Sequence, residues 1–98
     1  MTDSRIEFLT ELETIIANRA AADVAESYTA ELVAAGAKRV AQKVGEESVE
    51  VALAAVADDR SELLEEAADL VYHLLVLLQV RECSLADVAA VLRSRHSN

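Results

Sequence analysis

The 98-residue chain contains no proline, no tryptophan, two glycines and one cysteine, and only 3% of it is aromatic. Each scarcity excludes something. A sheet protein needs turn punctuation and β-branched or aromatic runs, and both are thin here. A single cysteine, Cys83, rules out an intramolecular disulfide and a multi-cysteine zinc site. Basic residues number nine against eighteen acids, a net charge of −9. Such a surface repels phosphate backbones and anionic lipid, which argues against nucleic-acid and membrane partners. The start, Met1-Thr2-Asp3-Ser4, lacks the basic-then-apolar pattern of a signal peptide. The longest apolar stretch, Leu70 to Leu78, is interrupted by Tyr72 and His73. It falls far below the ~20 residues that a membrane span requires. These absences predict a cytoplasmic protein.

What is present is helix-forming chemistry, dominated by alanine, leucine and glutamate. At 53% hydrophobic residues the chain is too apolar for an acidic disordered tail. Ser4 and Glu7 have capping-box spacing, and Ile6, Leu9, Leu12, Ile15 and Ile16 recur at helical intervals. An alanine-rich connection follows to about Ser27, then a short helix from Tyr28 to Ala35 that Gly36 can stop. A long helix is predicted over Ala37 to Ala57, with apolar positions at Val40, Val44, Val51 and Val56. Gly45 inside it marks either close approach of a neighbour or simple tolerance. Asp58 to Ser61 connect to a helix from about Ser61 to Glu82, whose second half is apolar nearly all round. A helix of that kind is buried on several sides. So short a chain has little else to cover it, which predicts a second subunit as the other wall. Ser84 and Asp87 repeat the capping spacing, and Leu85, Val88, Ala89 and Leu92 give a last helix its stripe. The expected architecture is one all-α domain over residues 1–98, an antiparallel bundle of four to five helices completed by dimerisation.

The negative charge is concentrated. Residues 44–70 hold nine acids and one base, Arg60, while the rest of the chain is close to neutral. A solvated helix face is the ordinary explanation of such a run. The spacing admits a sharper one. Glu47 and Glu50 are three apart on one helix, and Glu66 and Asp69 three apart on the next. If the two form a hairpin turning near residue 58, Glu50 stands level with Glu66 and Glu47 level with Asp69. At ~1.5 Å per residue the first of these pairs lies about 12 Å from the turn. Four carboxylates that converge need a neutralising cation or strongly raised pKa values. An all-oxygen donor set favours Mg²⁺, or Mn²⁺, over zinc. A hard cation held with open positions binds a polyphosphate and activates water. Lys38, Arg39 and Lys43 precede the acids. They fit either phosphate contacts or, for Lys43 and Glu47, a plain intrahelical ion pair.

The runs Ser27-Tyr28-Thr29-Ala30-Glu31-Leu32 and Gly36 to Glu50, with Gln42-Lys43-Val44-Gly45-Glu46-Glu47 at its centre, resemble phosphoribosyl-ATP pyrophosphohydrolase. So does Glu65 to Leu78, with its Tyr72-His73-Leu74-Leu75-Val76-Leu77-Leu78 segment. The E-E-x-x-E plus E-x-x-D pattern alone belongs to the wider MazG-like all-α nucleoside triphosphate pyrophosphatases. The resemblance implies hydrolysis of phosphoribosyl-ATP to phosphoribosyl-AMP and pyrophosphate in histidine biosynthesis, with Mg²⁺, by a homodimer. It implies Glu47, Glu50, Glu66 and Asp69 as metal ligands and Glu46 as the acid that orients or activates water. Lys38, Arg39 and Lys43 are then the phosphate contacts. Because Met1 stands just before the first helix, the free-standing form of the enzyme is expected rather than the fusion to a cyclohydrolase. One departure is local: relatives often carry Asp-Pro where this chain reads Asp23-Val24-Ala25-Glu26.

Other readings stay open on residues alone. A house-cleaning pyrophosphatase would use the same acids on another nucleotide. An acidic helical carrier or interaction module fits size and charge, though its nearest attachment-like triplet is Cys83-Ser84-Leu85. A di-iron bundle wants E-x-x-H on two helices, and the chain has none. Tyr28 is read as a packing residue ahead of one that stacks on or hydrogen-bonds the substrate, His73 as a satisfied core or interface histidine ahead of a ligand, and Cys83 as a buried small hydrophobe.

Overall fold

The computed structural model describes residues 3–97. Five helices follow one another: α1 (Ser4–Ala20), α2 (Tyr28–Ala35), α3 (Ala37–Val56), α4 (Arg60–Val80) and α5 (Leu85–His96). No strand occurs among the described residues, so the all-α expectation holds. Local chemistry sets the boundaries. Ser27 caps α2 by accepting from the Ala30 N–H, and Asp59 caps α4 by accepting from Glu62. Ser84 and Asp87 form a complete capping box at α5. At α1 the cap is Asp3 rather than Ser4, its carboxylate accepting from the Arg5 N–H while also gripping the Arg5 guanidinium. A carboxylate serves both donors, and a serine hydroxyl serves neither as well. Gly36 closes α2 and opens α3 at φ +95°, a conformation that favours glycine.

The α3–α4 hairpin is the spine. Asp58, in the left-handed region at φ 57°, ends α3, and Asp59 starts α4 directly after it. So short a turn forces the two helices antiparallel and fixes which residues stand level. The core lies toward the far end of the hairpin, where Ile16, Leu32, Val40, Leu75 and Val76 pack together. Burying each such side chain contributes about 1.5–3 kcal/mol. Four helices supply this cluster, so α1 and α2 are held to the hairpin at the end where their own apolar residues fall. Glu13 of α1 adds a polar tie, accepting from the Leu85 N–H at 2.7 Å at the start of α5. An acid there also complements the positive end of the helix dipole.

The periphery departs from the stripe readings. Ile6 is 62% exposed, because α1 meets the core only through its C-terminal half. The last helix buries none of its residues; Leu85 and Val88 are half-buried, while Ala89 and Leu92 are exposed. Only its first turn reaches the core cluster, through Leu85; the rest extends past the end of that cluster. Apart from its own chain neighbours and helix backbone, no atom of the described residues lies within 4 Å of where a Cβ at Gly45 would stand, so tolerance, not close approach, explains that glycine. Cys83 is exposed, because its turn gives its backbone N–H to Leu78 and turns the thiol outward. No described helix is long and apolar enough to cross a membrane.

Candidate active site

The hairpin register brings acids of α3 and α4 together. One carboxylate oxygen each from Glu47, Glu66 and Asp69 lies within 4.8 Å of the others. Their settings differ: Glu47 is buried, Glu66 half-buried and Asp69 exposed. The donor set is oxygen only, which suits a hard divalent cation. Glu66 Oε2 is shut off from solvent and has no hydrogen-bond partner among the described residues. An orphaned anionic oxygen of this kind is costly unless a proton or a cation meets it.

Glu50 lies on the next turn of α3 and faces Glu66. Two ionised carboxylates both accept, so they can share a hydrogen bond only if one of them keeps a proton. That sharing with Glu50, then loss of hydration, then the charge of Glu50 and the proximity of Glu62 push Glu66 up to about 7 from 4.5. Glu62, not singled out as a site residue from the sequence, is visible there as a like-charged neighbour four residues before Glu66.

The remaining predicted residues are not gathered equally. Lys43 Nζ stands 3.8 Å from Glu46 Oε1 and 3.9 Å from Glu47 Oε1. The intrahelical pairing is therefore present, and it also puts an ammonium beside the acids. Glu46 is exposed, outside the three-acid cluster, and accepts from Gln42 Nε2 at 3.2 Å. Lys38 and Arg39 are exposed in the first turn of α3. Arg39 shares its stripe with Lys43, Glu46 and Glu50, whereas Lys38 is rotated about a quarter-turn away. His73 is satisfied as expected, with both ring nitrogens paired, yet one of its partners is Glu47 Oε1 at 3.2 Å. Tyr28 does more than pack: its ring lies against Tyr72 and His73, yet it is 49% exposed, and its hydroxyl meets His73 Nε2 at 2.9 Å. It lines a cleft of about 610 Å³ with Arg19, Glu26, Ser27, Thr29 and Tyr72.

Residues 9–96 match the family model described as phosphoribosyl-ATP pyrophosphohydrolase. The chain belongs to that family. It is 58% identical over 90 residues to the histidine biosynthesis bifunctional protein HisIE of Photobacterium profundum. The HisIE proteins of Salmonella typhi and Vibrio cholerae are 60% identical over 89 residues and 55% over 94. These alignments cover 91–96% of this chain but only 44–45% of each relative. The chain thus spans about half the length of the curated relatives it matches. Both stretches that carry the acids, on α3 and on α4, lie inside the phosphoribosyl-ATP pyrophosphohydrolase match.

Proposed function

We propose that this chain hydrolyses phosphoribosyl-ATP to phosphoribosyl-AMP and pyrophosphate, with Mg²⁺, or Mn²⁺ in its place, held by Glu47, Glu50, Glu66 and Asp69. The observation that carries the reading is the convergence of acids from two helices around a shielded, undonated oxygen of Glu66. Family membership supports the substrate. A bound divalent cation supplies charge neutralisation at the phosphates and lowers the pKa of a coordinated water.

The chain's own residues divide the remaining work. Water adds to the phosphorus at the α–β linkage, the bridging P–O bond breaks, and pyrophosphate departs with the electron pair. Glu46, exposed beside the cluster, is placed to orient that water and take its proton. Lys43 stabilises charge developing on the phosphates, and Arg39 and Lys38 contact the outer phosphates from the first turn of α3. Glu50 and Glu66 would hold the cation together with Glu47 and Asp69, and its charge would offset their mutual repulsion.

The same reading includes a homodimer in the cytoplasm. An apolar groove of about 330 Å³ between Phe8, Leu9 and Leu12 of α1 and Leu64, Ala68 and Val71 of α4 supports a second subunit there. Leu64→Glu then converts the dimer to monomer in sedimentation.

The decisive assay offers phosphoribosyl-ATP and a panel of nucleoside triphosphates, with and without Mg²⁺. Selective, Mg²⁺-dependent release of pyrophosphate from phosphoribosyl-ATP is expected. Comparable rates on ordinary deoxynucleoside triphosphates would replace the pathway reading with a house-cleaning pyrophosphatase. No hydrolysis at all would leave the carrier or interaction module.

A further inference from the structure

His73 is buried, with 6% exposure, and sits on α4 one turn after Asp69. Its ring touches three elements. Nδ1 is 2.9 Å from the Asp69 carbonyl oxygen and 3.2 Å from Glu47 Oε1 on α3. Nε2 is 2.9 Å from the Tyr28 hydroxyl on α2. A carbonyl and a carboxylate only accept, so Nδ1 carries a proton, and in the neutral ring Tyr28 donates to Nε2. Tyr72 and Tyr28 pack edge-on against the ring, with centroids at 5.1 and 5.9 Å, which limits its rotation. A histidine that only had to be satisfied in a core would need the backbone carbonyl and nothing from α3.

We propose that His73 is a positioning residue for Glu47. Through the Tyr28–His73–Glu47 bridge it turns the Glu47 carboxylate toward the cation site shared with Glu66 and Asp69. The physical need is plain. Glu47 is a buried acid on a side chain with three rotatable bonds, facing other acids that repel it. Its cationic neighbour Lys43 stands at 3.9 Å, beyond hydrogen-bond length. His73 Nδ1 is the closer group, 3.2 Å from Oε1. Groups that orient metal ligands in this way typically change affinity or activity by about 10–100-fold when removed. The proposal rests on the metal-dependent reading above.

The test measures Mn²⁺ affinity calorimetrically without substrate. His73→Leu removes the donor, while His73→Asn places an amide N–H near the position of Nδ1. Tyr28→Phe removes only the hydroxyl from a half-exposed ring. Affinity is expected to fall about 10–100-fold in His73→Leu, to recover most of that loss in His73→Asn, and to fall several-fold in Tyr28→Phe. Saturating Mn²⁺ should restore the turnover of His73→Leu, which a collapsed core would not allow. A cooperatively melting His73→Leu that binds Mn²⁺ as tightly as the parent overturns the proposal. If His73→Leu does not fold, unchanged affinity in Tyr28→Phe overturns it instead. Glu50→Gln separates the two readings. Loss of Mn²⁺ there, with retention in His73→Leu, leaves the metal site standing and removes only the positioning role. Failure of the parent to bind Mn²⁺ removes both.

Discussion

Two levels of the same hairpin, one helical turn apart, hold the same chemistry in different states. At the level of Glu47 and Asp69, the buried acid meets a histidine ring nitrogen at 3.2 Å and, farther off, a lysine ammonium at 3.9 Å. At the level of Glu50 and Glu66, the acids meet each other and Glu62, with no donor on Glu66 Oε2 among the described residues, and Glu66 is pushed up to about 7. Carboxylates alone do not make a cation site. Where a partner is supplied, a carboxylate is oriented; where none is, neighbouring acids raise one another's pKa. On the proposed metal-dependent reading, Glu47 is the oriented ligand and the Glu50–Glu66 pair is the level whose mutual repulsion a cation would relieve.

The largest expected effect strikes the undonated level. Glu50→Gln gives Glu66 an amide donor while removing one anion. Turnover in Mg²⁺ should fall more than about 100-fold, whereas helical content is kept and the melting temperature in chelator holds or rises. Near-normal turnover would take that level out of the site. On the donated level, Lys43→Met removes the ammonium beside Glu46 and Glu47, and a loss of about tenfold in kcat is expected. An unchanged kcat would reduce Lys43 to a helix ion pair.

The pH dependence sharpens the comparison without any substrate. In the metal-free protein Glu66 titrates at about 7 against 4.5 for an ordinary glutamate. Below about 4.5 the folded and unfolded chains both keep the proton. Between about 4.5 and 7 only the folded chain keeps it, so the unfolded state binds fewer protons and stability declines as pH rises. Melting temperatures in chelator should therefore fall across that window more steeply for the parent than for Glu66→Gln. Equal slopes would mean that the Glu50–Glu66 pair does not share a proton. The smallest effect belongs to the exposed bases. Arg39→Ala, on the acid stripe, should raise KM about threefold, and Lys38→Ala by less. The reverse order would mean that the substrate approaches α3 from the other side.

Much of this arrangement is legible in the residues. The capping pairs at Asp59 and at Ser84 with Asp87 mark real helix starts, and the short turn at residue 58 makes the level of the acids a matter of counting. The site was least legible where contacts cross elements. His73 reads as an apolar-face histidine because Glu47 lies 26 positions away in sequence, and Tyr28 as packing because nothing local reveals its hydroxyl partner. The stripe of α5 misleads for the opposite reason: periodicity promises a buried face without saying what would cover it.

The sequence by itself determined the helices, their hairpin order, the place of the acids and the family. Those follow from local capping, from periodicity and from fixed rise per residue, all of which act within a few positions of the chain. Tertiary structure alone decided which acids have donors. Hydrogen bonds form between side chains that folding brings within about 3 Å, and Tyr28, His73 and Glu47 meet only once three helices have packed.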